Sequence, residues 1–264
     1  MDRLEELVSE NRFTISVVFP IVGAATFLAS AEGLLPGFLE FNPFFILFGT
    51  LVMRTPLIAG LRPLIDRKAG IGILAISLYA YLIEFVGLST GWPYGDFSYL
   101  ISLGPMVHGV PVGLPVFFVP LVLNSFLLVR LYDLKDFWER FLAGVGLVLL
   151  IDAVLDPAAV ALGIWSYGGG LFYGVPLSNF TGWLLSASIC LLVLEYVFRD
   201  IDVESRLRST DYMLDDMVSF VFLWGFINLY YLNPVPVLIA AGFGVALYQN
   251  GRFSMAVEEL PYFS

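Results

Sequence analysis

The sequence predicts an all-α fold: a polytopic transmembrane helix bundle of about eight spans with both termini cytoplasmic. Three observations carry this reading. Of 264 residues, 59% are hydrophobic and only 14% are charged. The mean hydropathy of +0.86 is higher than a soluble domain of this length tolerates. The apolar residues also fall in continuous runs rather than in alternation. Of the two structures that satisfy backbone groups inside lipid, this favours helices over a closed barrel. Finally, basic residues occupy every second connection between the runs, as the positive-inside rule requires.

A bilayer is crossed by about 17–25 apolar residues in a helix. Such runs lie near 13–31, 43–61, 70–88, 111–130, 140–162, 178–198 and 213–232. An eighth, near 234–249, is shorter and opens on Pro234 and Pro236, which a first helical turn accepts. Arg3 and Arg12 precede the first run, and Arg62, Arg67 and Lys68 lie between the second and third. Arg130, Lys135 and Arg140 lie between the fourth and fifth, Arg199, Arg206 and Arg208 between the sixth and seventh, and Arg252 follows the eighth. The connections near 32–42, 89–110 and 163–177 and around Asn233 contain no Lys or Arg. Alternation of this kind needs an even number of spans. Ala29-Ser30-Ala31 imitates a signal-peptidase site, but the segment before the first run is net acidic, so that span is read as retained. Residues 1–264 read as a single integral membrane domain, multi-pass in the cell membrane and surrounded by membrane lipid.

Charge and residue inventory exclude several classes. Thirteen basic residues stand against 23 acidic ones, for a net charge of −10, so no nucleic-acid partner is expected. Acids gather in loops and tails, at Asp2, Glu5, Glu6, Glu10, Asp200, Asp202, Glu204, Asp211, Glu258 and Glu259. Surfaces this acidic suit a high-salt cytoplasm, and a halophilic host is expected. The single Cys190 closes no intrachain disulfide and builds no thiol metal site; it reads as a small buried hydrophobe. A single histidine, His108, builds no multi-histidine metal centre, and in an outer loop it reads as a surface residue. The two lysines, Lys68 and Lys135, fall in cytoplasmic connections, which excludes a retinal Schiff base. No metal is expected.

The stretch LLIDAVLDPAAVALGIWSYGG places Asp152 and Asp156 in an otherwise apolar run. Four residues apart, they share one helix face, and carboxylates within a span are costly and tend to be functional. At about 1.5 Å per residue, Asp152 lies roughly 18 Å and Asp156 roughly 24 Å from the cytoplasmic start of their span. Glu84 falls near the outer end of span 3, Asp96 just beyond it, and Asn179 and Trp183 in the outer part of span 6, so these groups can converge in the outer half of the membrane. Arg54, near the middle of span 2, is the basic residue inside a span and is expected to reach Asp152. Structural readings stand beside these. Arg54 and Asp152 can be an ion pair fastening two helices, Asp156 can bond backbone groups freed at Pro157, and Glu84 can be solvated. Glu195, Asp215 and Asp216 read as interfacial. The outer connections 89–111 and 163–183 are rich in Gly, Pro and aromatics, and fit either an interfacial aromatic belt or loops capping a cavity.

Hydrocarbon surroundings favour the neutral form of a carboxyl group, which then serves as a general acid near neutral pH. Aromatic faces stabilise a cation. Together with controlled water access, these parts fit acid-catalysed chemistry on an isoprenoid alkene. Protonation of a trisubstituted double bond gives a tertiary cation, and water capture gives a tertiary alcohol. This chemistry calls on no nucleotide, metal or redox cofactor, and the chain carries no Rossmann or P-loop fingerprint. From the residues alone, the reading stops at membrane-embedded proton or cation chemistry.

Three blocks sharpen it: EFVGLSTGWPYGDFSY (84–99), LGPMVHGVPV (103–112) and LDPAAVALGIWSYGGGLFYGVPLSNFTGW (155–183). They resemble the core of the CruF-type carotenoid hydratase family, over roughly residues 70–200; no motif past 205 is matched. The resemblance implies hydration of carotenoid end groups, and in haloarchaeal members conversion of bisanhydrobacterioruberin to bacterioruberin. The family's acidic and aromatic positions fall on Glu84, Tyr94, Asp96, Tyr99, Asp156, Trp165, Tyr173, Asn179 and Trp183; Asp152 and Arg54 come from depth instead. Where family members are expected to carry a tryptophan in span 4, this chain has VGLPVFFVPLVLN.

The resulting expectation is a cofactor-free hydro-lyase adding water to the terminal isopentenyl double bonds of a C50 carotenoid. Asp156 or Glu84 donates the proton, and Asp96 or the other carboxylate orients water. Trp165, Tyr173 and Trp183 flank the cation, and Asn179 binds water or the new hydroxyl. Other carotenoid-biosynthesis membrane enzymes are candidate partners. Two alternatives remain open at this stage: a membrane carotenoid cyclase, which quenches the same cation internally, and a proton-coupled membrane transporter.

Overall fold

The computed structural model describes residues 3–132, 134 and 136–252; Asp2, Lys135, Glu258 and Glu259 lie outside the described residues. Helix α1 (Arg3–Glu10) leads through a π-helical turn (Thr14–Val18) into α2 (Phe19–Ala31). Next come α3 (Pro43–Leu61), α4 (Arg67–Thr90), α5 (Leu114–Val129), α6 (Phe137–Ala161) and α7 (Leu177–Phe198), then the short α8 (Val203–Ser209), α9 (Asp215–Tyr230) and α10 (Pro234–Gln249). Each predicted run therefore contains a helix. Five of these, at Thr14–Ala31, Pro43–Leu64, Arg67–Thr90, Phe137–Ala161 and Leu177–Phe198, are long and apolar enough to cross a membrane. Helices α5, α9 and α10 have 16 residues each, about 24 Å, short of a ~30 Å hydrocarbon core.

Local chemistry sets the helix ends. The Asn42 side chain accepts from the Phe44 and Phe45 amides ahead of Pro43, and Asp66 accepts from the Ala69 amide. Asp136 accepts from Trp138 and Glu139. Each satisfies amides that a helix start leaves open. Helix α4 stops at Gly91, whose φ of 73° suits glycine. Helix α5 is apolar on every face except at Asn124 and Ser125 and lies at the centre of the bundle, buried from Phe118 to Val129. It packs against α3, α4, α6 and α7, while α9 packs on α2, α3, α6 and α10. Phe44, Phe48, Leu74, Leu82, Leu142 and Leu238 are exposed on the outer faces of the bundle, giving it an apolar periphery.

The connections 89–111 and 163–183 are not purely irregular. β1 (Ser98–Tyr99) pairs antiparallel with β4 (Trp165–Ser166), placing Tyr99 opposite Trp165. This joins the two Gly- and aromatic-rich loops into one cap. β2 (Met106–Val107) and β3 (Val110–Pro111) form a hairpin. Its two-residue turn is His108 and Gly109, with φ of 51° and 83°, the signs a tight hairpin turn needs. His108 is thus an exposed turn residue, edge-on to Phe85.

Candidate active site

Beneath the cap lies a cavity of about 140 Å³. The two joined loops roof it with Phe97, Tyr99, Leu103, Ile164, Trp165 and Tyr167, and α3, α4, α5, α6, α7 and α9 wall it. Glu84 and Asp156 both line it, from α4 and α6.

Each of these carboxyls is held by one phenol from the roof. The Tyr99 hydroxyl donates to Glu84 Oε1, and the Tyr167 hydroxyl donates to Asp156 Oδ2 at 2.7 Å, with Asn179 Oδ1 as its other acceptor at 3.1 Å. Asn179 Nδ2 also donates to Asp156 Oδ2, at 2.7 Å, and to Asp152 Oδ2, at 2.8 Å. Asp156 Oδ1 and Glu84 Oε2 take part in no hydrogen bond among the described residues. One oxygen of each carboxyl is therefore fixed, and the other is available to whatever enters the cavity. Burial, and then the nearby carboxyls, raise the Tyr99 and Tyr167 phenols well above the usual range, so both remain neutral donors.

Aromatic faces supply the apolar walls. Trp183 stacks on Phe118 with centroids 5.0 Å apart, and lies 5.9 Å from Tyr94. Trp165 meets Tyr99 edge-on at 6.3 Å. The buried Tyr94 hydroxyl is 2.6 Å from Ser186 Oγ, which is 3.0 Å from the Tyr79 hydroxyl. Phe117 and Phe118, from the segment where a tryptophan is expected, both line the cavity.

Several expectations are corrected. Arg54 does not reach Asp152. Its Nη1 pairs with Asp216 Oδ1 at 2.5 Å, and Asn124 donates to the other Asp216 oxygen. Asp215 and Asp216, at the start of α9, are fully buried within the protein rather than solvated, because the preceding Tyr212, Met213 and Leu214 are themselves buried. Asp215 is paired with Arg12 at 2.8 Å. Glu195 is paired with Arg130 and Arg140, at 2.9 and 3.6 Å, and is little exposed. Asp152 is fully buried behind the cavity wall with Asn179 as its partner, and its Oδ1 has none. Asp156 bonds side chains rather than backbone groups freed at Pro157.

Asp96 and Tyr173 are not in the cavity. Asp96 is exposed, and its Oδ1 lies 2.2 Å from where a Cβ on Gly91 would be, so it folds over the end of α4. Tyr173 sits in a turn with φ of 51°, and its hydroxyl accepts from the Val235 amide at 3.3 Å, tying the loop to α10. Glu84, Tyr94, Tyr99, Asp156, Trp165, Asn179, Trp183 and Arg54 do line one cavity. Tyr167, Ser186, Phe118 and Trp224 are not singled out by the sequence. The signal for Tyr167 was its place in the GIWSYGGG segment, within reach of a buried acid once the loop folds back. Among the described residues no group of three or more His, Cys, Asp or Glu could hold a metal ion.

Residues 41–247 match the family of carotenoid biosynthesis proteins. The chain is 54% identical over 261 residues to a bisanhydrobacterioruberin hydratase of Haloarcula japonica, covering 97% of this chain and 89% of the relative. The similarity thus runs well past the 70–200 blocks and takes in α9, which supplies Ser219, Phe220, Leu223 and Trp224 to the cavity. No solved structure matches.

Proposed function

Because this chain belongs to the carotenoid biosynthesis protein family, we propose that it works as a carotenoid hydratase through the capped cavity. It is a hydro-lyase adding water to the terminal isopentenyl C=C bonds of a C50 carotenoid, turning bisanhydrobacterioruberin into bacterioruberin. The observation that carries this is 54% identity to the Haloarcula hydratase along 97% of the chain, which favours hydration over the cyclase and transport readings.

The mechanism uses the two available carboxyl oxygens. Asp156, oriented by Tyr167 and Asn179, donates its proton from Oδ1 to the terminal double bond. The tertiary cation forms between the faces of Trp183, Trp165 and Phe118, whose quadrupoles lower its energy. Glu84, held by Tyr99, accepts a proton from the attacking water as the C–O bond forms. Proton exchange between the two carboxyls through water then restores the starting state. Asn179 acts by fixing Asp156, and Asp152 by fixing Asn179 from behind.

Eight spans, both termini cytoplasmic and a multi-pass location in the cell membrane are part of the same reading. The alternating basic connections and the eight helices support them. Membrane lipid then surrounds the bundle and delivers an apolar substrate, and neighbouring membrane enzymes of carotenoid biosynthesis would exchange it. The acidic soluble faces suit a halophilic archaeon.

Product mass tests the reaction. A strain lacking the gene should accumulate a pigment lighter by one water per unreacted end, and the restored gene should add that mass back. Restoration of a product of unchanged mass would indicate a cyclase.

A further inference from the structure

The cavity has a second polar end, remote from the cap. Helix α9 closes on the cap side, where the chain beyond it meets Tyr173 through Val235, and it begins at Asp215 and Asp216, about 20 Å away along its axis. Asp216 holds Arg54, and Arg54 lines the cavity. The Arg54 Nε–H donates to Val116 O at 3.3 Å and one Nη1–H to Asp216. A guanidinium has five N–H donors, so three are left, and none has an acceptor among the described residues. Thr50, one turn earlier on the same helix face, also lines the cavity, and its hydroxyl makes no hydrogen bond among the described residues. The Thr50 residue is 8% exposed and the Arg54 side chain 13%. Donors at such depth are costly without an acceptor. Asp216 cancels the guanidinium charge, so the site does not call for an anion. Its surroundings, including Met53, Leu121 and Phe220, are apolar.

We propose that Arg54 and Thr50 form an oxygen subsite at the inner end of the cavity, which holds a neutral oxygen acceptor. That oxygen is either a hydroxyl or carbonyl on the carotenoid, some atoms from its reacting double bond, or a water held beside the chain. The substrate class rests on the hydratase reading; the donor array does not. A carotenoid oxygen makes the subsite a selector that anchors the substrate at one end while the alkene meets Asp156 at the other.

The test uses purified full-length protein in detergent. Two probes are compared: an acyclic carotenoid bearing a hydroxyl near its terminal alkene, and the corresponding hydrocarbon. Binding is read by polyene quenching of tryptophan fluorescence, since Trp165, Trp183 and Trp224 line the cavity; hydration is read separately by product mass. Arg54→Met/Asp216→Asn removes both charges so that neither is left unpaired, and Thr50→Val keeps shape while removing the hydroxyl. If the oxygen is the substrate's, wild type binds the hydroxylated probe about 10–100-fold more tightly than the hydrocarbon. The preference then collapses toward unity in the double variant and falls about 2–10-fold in Thr50→Val. If the oxygen is a held water, wild type binds both probes alike and both weaken together in the variants. Variants that bind both probes as wild type does overturn the subsite; should the double variant fail to accumulate, Thr50→Val decides alone. Wild type that binds but hydrates neither probe overturns the hydratase reading and leaves the subsite standing.

Discussion

Asn179 is the member of the polar cluster whose removal has the best-defined consequence. Its two Nδ2 protons are both committed, to Asp152 Oδ2 and Asp156 Oδ2 at 2.8 and 2.7 Å. Leucine has nearly its shape and neither donor. In Asn179→Leu, Asp152 would keep no partner at all, because its Oδ1 already lacks one, and Asp156 would keep only Tyr167. Asp152, left without a partner, costs about 1–3 kcal/mol, and the one bond that Asp156 loses while keeping Tyr167 costs about 0.5–1.5 kcal/mol, so the loss is about 1.5–4.5 kcal/mol. For a chain of this size that corresponds to a fall of roughly 3–18 °C in melting temperature. Catalysis suffers as well, since a misplaced acid can cost about 10²-fold in rate. Melting is followed in detergent by tryptophan fluorescence, and hydration by the ratio of hydrated to unhydrated pigment. Asp152→Leu/Asn179→Leu provides the internal check. With no carboxyl left at 152, the second substitution should cost less than it does alone, a coupling of neighbours that a double-mutant cycle measures. Asn179→Leu that melts within about 2 °C of wild type and hydrates normally would show that the bridge holds nothing.

Three further outcomes are expected. Arg54→Met should lower protein yield, because breaking a buried pair costs about 3–5 kcal/mol; Arg54→Met/Asp216→Asn should restore it and Arg54→Met/Asp152→Asn should not, with membrane-fraction immunoblots as the measure. Tyr99 and Tyr167 hold their protons more tightly in the folded protein than the ordinary phenol near pH 10. Their contribution is therefore full below pH ~10 and is lost as pH rises through the higher folded value. Melting temperature should fall above pH ~10, and less steeply in Tyr167→Phe; a steeper fall in that variant refutes the assignment. A reporter active only in the cytoplasm should work when fused after residue 252 and stay silent within 163–177; the reverse pattern inverts the topology.

The helices were legible because apolar run length and basic-residue alternation are one-dimensional signals, as were the buried acids Asp152 and Asp156. What pairs with what was less so. Depth alone put Arg54 near Asp152, yet Asp216 was the partner. Its adjacency to Asp215 at a span boundary resembled a solvated helix start, and only the burial of Tyr212, Met213 and Leu214 reverses that. The cap was half legible: glycines, prolines and aromatics announced an unusual loop. The pairing of Tyr99 with Trp165, which brings Tyr167 onto Asp156, depends on a contact between segments some 66 positions apart in the chain. Asp96 and Tyr173 were drawn in by their neighbours in the motif, but a left-handed turn at each place, at Gly91 and at Tyr173 itself, directs them elsewhere.

If water adds to the carotenoid with Asp156 as the acid, the new hydroxyl takes its oxygen from solvent at a rate that Asp156 controls. Incorporation of label from heavy-oxygen water into the new hydroxyl, by wild-type protein and by Asp156→Asn given an anhydro-carotenoid in detergent, reads both at once. The wild-type product should carry the label in each new hydroxyl. Asp156→Asn should fold, bind the polyene and incorporate label about 10²–10⁴-fold more slowly, the usual contribution of a general acid. An unlabelled hydroxyl, or label entering at the wild-type rate in Asp156→Asn, would contradict the claim.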